Sequence, residues 1–275
     1  MRLRPQIFSK ESSVIYSKFQ LVRNWEEIQN PLIKEVLKFN GVKDPIEFIS
    51  FSDIPARTGL GGSSAFCIGM LYLLNQTFNK VQTKKELVVD AIHIERDILK
   101  ESGGIQDQIW PAYPGFNSIS IDKSGQFFVK PVPISDDFLQ FLENSMILIY
   151  THSQREQDDI AKSHENKNKT GILEVSKEAY KRFVSEDIKG VGELLYQHWI
   201  EKKKISDLIS TAFIDEMASD VMGMGAYGVK LLGSGGCGFL LVLCDPLVRK
   251  NIVEKYKSEI LDFKFEKTGV TQIYP

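Results

Sequence analysis

The stretch with the clearest chemical capacity is Pro55-Ala-Arg-Thr-Gly59-Leu-Gly61-Gly62-Ser63-Ser64-Ala65, which runs directly into an apolar segment. Glycine lets a backbone approach a polyanion closely. The unpaired amides and positive dipole end of a following helix then attract phosphate. The hydroxyls of Ser63 and Ser64 could bind a metal or a phosphate oxygen. The plainer alternative is a turn closed by a serine cap, and the stretch alone does not separate the two. No lysine follows the glycines, so this is not a Walker A loop.

Two further glycine runs match GxGxxG, Gly223 to Gly228 and Gly233 to Gly238. A dinucleotide fingerprint needs a strand, then the loop, then a helix. Gly233–Gly238 leads into Phe239-Leu-Leu-Val-Leu, which reads as a strand, and Gly223–Gly228 precedes a strand. Both are rejected as dinucleotide signals. The second run is better understood as a close-approach turn, bracing the first loop or touching a nucleotide, or as an ordinary hairpin turn or bulge.

Two acids complete the set. Glu95 lies among Ile92, His93, Ile94 and Ile98, and Asp107 follows Gly103 and Gly104 at a predicted helix start. A phosphoryl transfer to an alcohol needs one acid to hold Mg²⁺ and ideally a second to accept the hydroxyl proton. The bland alternatives are a solvated Glu95 paired with Arg96 and an Asp107 placed merely to favour a helix dipole.

These residues must be positioned by elements of both kinds. Strands are predicted over 14–22, 46–52, 117–121, 127–132, 146–150, 229–232, 239–243 and 263–267. Helices are predicted over 31–39, 63–78, 84–100, 138–142, 173–184, 186–208, 211–226 and 246–257, with Pro31 opening the first. Lys162 to Lys169 is expected to be a solvated helix or loop. The order is α+β, with two lobes at about 1–140 and 141–275. The chain of 275 residues has 34 basic and 36 acidic side chains, a net charge of −2. That balance gives no global reason to bind nucleic acid or an anionic membrane, so any anion site is local. Cys67, Cys237 and Cys244 show no CxxC pairing and suit a reducing, cytoplasmic setting. Met1 to Lys10 has no apolar run behind it and is not expected to be a signal peptide; no apolar run is long enough to span a bilayer.

Taken together, these pieces resemble the galactokinase, homoserine kinase, mevalonate kinase and phosphomevalonate kinase (GHMP) superfamily. Pro55 to Ala65 is similar to its second motif, Pro-x-x-x-Gly-Leu-Gly-Ser-Ser-Ala, with Gly62 standing where the first serine is usual. Lys230-Leu-Leu-Gly-Ser-Gly-Gly-Cys-Gly-Phe looks like its third motif. Gly104-Ile-Gln-Asp107-Gln108 looks like the segment bearing the catalytic aspartate, and Glu95 falls at the position of the Mg²⁺ ligand. The likeness is closest to D-glycero-D-manno-heptose 7-phosphate kinases, through His93-Ile-Glu, Tyr150-Thr-His-Ser-Gln-Arg155, and His198-Trp199 followed by Lys202 and Lys203.

The resemblance implies a two-lobed fold with a ribosomal-protein-S5-like N-terminal lobe and a ferredoxin-like C-terminal lobe. It implies ATP and Mg²⁺, and transfer of the γ-phosphate to the anomeric hydroxyl of a heptose phosphate. Nucleotide contacts are then expected at Pro55, Thr58, Gly59, Leu60, Gly61, Gly62, Ser63, Ser64, Gly233, Gly235 and Gly236. Mg²⁺ falls to Ser63 and Glu95, and the attacking hydroxyl to Asp107. Gly104, Asp107 and Arg155 are the expected sugar contacts, with Lys202, Lys203 and Arg57 as further candidates for the sugar's own phosphate. A fucokinase- or galactokinase-type enzyme and a non-catalytic nucleotide-binding relative are the alternatives. The superfamily's first motif, a strand entering a Gly-Gly-Gly-Thr-Asp-like turn, has no counterpart before Pro55. By analogy about forty to fifty residues would be missing from the N-terminal lobe, exposing a sheet edge.

Overall fold

The computed structural model describes residues 1–56, 58–152, 160 and 170–273. Arg57, Arg155 and the 162–169 stretch lie outside the described residues. Contacts divide the chain into two units, residues 1–56, 61–114 and 267–275, and residues 57–60 and 115–266. The chain therefore passes from the second unit into the first between Leu60 and Gly61.

The first unit is a four-stranded sheet with helices. Strands β1 (Arg2–Pro5), β2 (Ser12–Ile15), β3 (Phe19–Val22) and β4 (Ile46–Ile49) lie in the order β1-β4-β2-β3. Only β2 and β4 run parallel. The single strand expected over 14–22 is thus a hairpin. Its turn is closed by the Tyr16 amide donating to the Lys18 carbonyl at 2.9 Å. β1 was not predicted, because four residues alternating charge with one buried Leu3 carry little periodicity.

Helix α1 (Pro31–Phe39) begins where the sequence places it. Asn30 caps it by accepting from the Ile33 amide, and Pro31 occupies the first turn, where a missing N–H costs nothing. Leu32, Ile33, Val36 and Leu37 form its buried stripe, each contributing roughly 1.5–3 kcal/mol. Helix α2 (Gly62–Thr77) buries Cys67, Ile68, Met70, Leu71 and Leu74, and its Phe66 ring meets Phe48 of β4 edge-on at 5.9 Å. Helix α3 (Lys84–Ile92) starts with a reciprocal Thr83–Glu86 capping box. It does not continue as regular α-helix to residue 100. Residues His93–Ile98 form a π-helical turn, with the Leu99 amide bonded to the Ile94 carbonyl. A four-residue helix α4 (Gln106–Ile109) follows.

The second unit opens with the hairpin β5 (Asn117–Ile121) and β6 (Phe127–Pro131), then α5 (Asp136–Ser145). Its main sheet is antiparallel, in the order β10-β7-β9-β8, from β7 (Met146–Tyr150), β8 (Gly228–Leu231), β9 (Phe239–Leu243) and β10 (Ile260–Leu261). Helices α6 (Thr170–Val184), α7 (Ile188–Lys203), α8 (Ala212–Gly223) and α9 (Pro246–Lys255) accompany it. Ile149, Trp199, Ile214, Val221, Val229, Leu240 and Val242 are fully buried in its core. The strand expected at 263–267 is absent: β10 ends at Leu261. Phe263 and Phe265 alternate as strand residues would. Their rings instead pack on each other, Phe265 also meets Phe116, and the Phe265 amide donates to the Glu143 carboxylate. Aromatic burial with a side-chain acceptor has replaced a ladder there.

Candidate functional site

In the first unit the glycine loop ends at Gly61, whose φ of +68° is left-handed, and α2 starts with no side-chain cap on its amides. The first-turn N–H groups are therefore presented at a positive helix end, next to the hydroxyls of Ser63 and Ser64. Ser63 is exposed and Ser64 buried.

Both hydroxyls donate to one carboxylate. Ser63 Oγ reaches Glu95 Oε1 at 3.2 Å and Ser64 Oγ reaches Oε2 at 2.8 Å. Gln108 Nε2 also donates to Oε2, at 2.5 Å. Glu95 is fully buried, so the solvated pairing with Arg96 considered from the sequence does not occur. Arg96 instead donates to the Glu101 carbonyl. Ile94 and Glu95, adjacent in the π-helical turn, both face inward. Three neutral donors and no cation among the described residues meet the carboxylate.

Asp107 sits in the first turn of α4, half-buried, against the loop. A Cβ built on Gly61 would stand 3.4 Å from Asp107 Cγ. Burial pushes the Asp107 carboxyl above its ordinary range, opposed by a hydrogen bond from Gln106 and by the Arg96 charge. Its neighbour Gln108 turns inward to Glu95, so one short helix serves both acids. The sequence singled out Glu95 and Asp107 but not Gln108; its place beside Asp107 in Gly-x-x-Asp-Gln was the available signal. Gly104 is exposed, with open space where a side chain would stand.

In the second unit the two glycine turns press backbone against backbone. A Cβ on Gly233 would lie 2.5 Å from the Gly59 Cα, and one on Gly238 would lie 2.1 Å from the Thr58 carbonyl oxygen. The bracing function considered for the second run is what the backbone does. Gly235 is buried beside Ile209, and the Gly236 amide donates to the Ile209 carbonyl at 2.8 Å. Lys202 Nζ donates to the Gly233 carbonyl. Lys203 is engaged elsewhere, by Asp215 at 2.9 Å and the Trp199 ring. Among the described residues no group of three or more His, Cys, Asp or Glu side chains could hold a metal, and no helix is long and apolar enough to cross a membrane.

The fold is of mixed α and β class, and its first unit carries a capless helix start over a buried carboxylate. Residues 28–115 match the family described as GHMP kinases N terminal domain. The chain is similar to a D-glycero-alpha-D-manno-heptose 7-phosphate kinase from Campylobacter jejuni, 28% identical over 259 residues, covering 90% of this chain and 75% of that one. It is 26% identical over 263 residues to a galactokinase from Pyrococcus furiosus, covering 84% and 72%. Among solved structures, a D-glycero-D-manno-heptose 1-phosphate kinase from Bacteroides thetaiotaomicron superposes with a TM-score of 0.77 at 22% identity, over 99% of this chain and 86% of that one. This likeness establishes that the chain has the GHMP kinase fold.

Proposed function

We propose that this chain is an ATP-dependent sugar kinase that phosphorylates the anomeric hydroxyl of D-glycero-D-manno-heptose 7-phosphate. The observation that carries the reading is the placement of the Asp107 carboxylate against Gly61, one residue before a capless helix whose serines bond Glu95. The similarity to the Campylobacter heptose phosphate kinase supports the choice of sugar.

In this reading the ATP phosphates lie along Gly61 to Ser64, held by the amides that begin α2. Pro55, Thr58, Gly59, Leu60, Gly233, Gly235 and Gly236 are part of the same proposal as nucleotide contacts. Asp107 accepts the proton of the sugar hydroxyl as its oxygen bonds to the γ-phosphorus. The bond from that phosphorus to the bridging oxygen breaks, and ADP leaves with the electron pair. The upward push on the Asp107 carboxyl, caused by burial, makes it a better proton acceptor than a solvated aspartate. A magnesium ion, if bound, would be held by Glu95, whose carboxylate meets no cation among the described residues, and by the exposed Ser63 hydroxyl beside it. When bound, it offsets charge on the phosphate oxygens. Gly104 would border the sugar.

The test is ADP release by the purified chain with ATP and Mg²⁺ against a sugar panel: the heptose 7-phosphate, the unphosphorylated heptose, galactose and fucose. Turnover selective for the heptose 7-phosphate is expected. Equal or better turnover of galactose or fucose refutes the acceptor. ATP binding without turnover of any sugar refutes the kinase activity, and an unchanged melting temperature in Mg·ATP refutes the nucleotide site.

A further inference from the structure

We propose that His198, Lys202, Lys230 and Ser234, all in the second unit, form a binding site for a phosphate dianion carried by a small-molecule ligand. The site is built by the packing of α7 on β8. Gly192 and Gly228 meet there so closely that a Cβ on Gly228 would stand 1.8 Å from the Gly192 carbonyl oxygen. Lys230, two residues after Gly228 on β8, lies on the same strand face, turned to α7. His198 and Lys202 are one helical turn apart on α7 and share a face. Lys202 is only 7% exposed, and its ammonium donates to the Gly233 carbonyl, beside Ser234.

Two cations are thus held together, and no acid among the described residues pairs with either. The nearby acids are engaged elsewhere: Glu201 with Lys204 at 2.6 Å, and Asp215 with Lys203 at 2.9 Å. Burial pushes the Lys202 ammonium down to about 7 and Lys230 to about 8, with the Lys230 charge adding to the effect on Lys202. Burial, with both lysine charges, takes His198 to about 3. The polar inventory is also incomplete. Ser234 Oγ and His198 Nδ1 are buried and bond to nothing. Buried unpaired cations and orphaned polar atoms are costly, and a cluster of both beside the exposed Gly233 is the arrangement a dianion with several acceptor oxygens would satisfy. A purely structural role accounts for the Lys202 bond to Gly233. It leaves Lys230, Ser234 and His198 unexplained.

The inference does not depend on the sugar-kinase reading, since the probe is inorganic phosphate. Calorimetry and thermal melts on the whole chain, in phosphate against chloride at matched ionic strength, measure binding directly. Saturable phosphate binding is expected, weakened about tenfold or more by Lys230→Met and by Ser234→Ala. Lys230→Met should melt at or above the unaltered protein, because it removes a buried charge; Ser234→Ala removes only an unpartnered hydroxyl and serves if the first variant does not fold. No preference for phosphate over chloride overturns the proposal, as does binding unaltered in both variants. Competition then names the source. Displacement by a phosphorylated sugar but not its unphosphorylated form assigns the acceptor's phosphate, displacement by ATP assigns the nucleotide, and displacement by neither overturns the assignment to a ligand-borne phosphate.

Discussion

Gly233→Ala tests the backbone contact on which the glycine loop rests. The residue has φ of +65°, so alanine there incurs the left-handed penalty of about 1–2 kcal/mol. The added Cβ would stand 2.5 Å from the Gly59 Cα and 3.1 Å from its carbonyl oxygen. Neither atom belongs to a flexible side chain, so the two turns must separate, an overpacking cost of about 1–3 kcal/mol. Together the expected loss is about 2–5 kcal/mol, or roughly 3–9 °C in melting temperature for a chain of this size. Gly62→Ala is the matched control. It is the first residue of α2 with no atom within 4 Å of its Cβ, and should leave stability unchanged or slightly raised. Thermal melts by circular dichroism, without ligand, give both numbers. If Gly233→Ala melts within about 2 °C of the unaltered protein, the turns are not held in the contact described, and the reasoning fails.

Asp107→Asn should lower kcat by ~10²–10⁴ under the proposed mechanism while leaving the melting temperature equal or higher, since a half-buried charge is lost; unchanged kcat removes Asp107 from the chemistry. Ser64→Ala should cost about 1–3 kcal/mol in urea unfolding, because it strips a buried donor from Glu95, whereas the exposed Ser63→Ala should cost under about 1 kcal/mol and mainly weaken use of Mg·ATP. Equal stability losses in the two variants would contradict the burial difference. Stability should rise with pH from 7 to 9: an unfolded lysine keeps its proton to about 10.4, while folded Lys202 releases it near 7, so the unfolded chain binds more protons across that window. Lys202 alone contributes about 2 kcal/mol over the interval, and Lys202→Met should make the rise shallower, leaving the smaller part due to Lys230. Above about pH 9 the buried Cys67 thiol, pushed well up by burial, offsets part of this rise, because the unfolded thiol ionises first. A flat urea midpoint from pH 7 to 9 in the unaltered chain would count against the buried lysine.

The sequence by itself determined what local chemistry determines. Asn30 and Pro31 set the start of α1, Gly61 to Ser64 the start of α2, and the turn from Asp122 to Gln126 the hairpin of β5 and β6. These signals lie within a few residues of what they control. The type and spacing of Glu95 and Asp107 also marked them for attention, but their surroundings did not. The buried surroundings of Glu95 come from Ser63, Ser64 and Gln108, which reach it from 32, 31 and 13 residues away. The contact between Gly59 and Gly233 and the approach of Lys202 to Lys230 join segments 174 and 28 residues apart. Phe263 and Phe265 show the same limit from the other side: their alternation fitted a strand, and burial against Phe116 decided otherwise. Burial, desolvation and backbone clash depend on atoms brought near only by the folded chain, so tertiary structure alone fixed which glycines are obligatory and which charges are out of water.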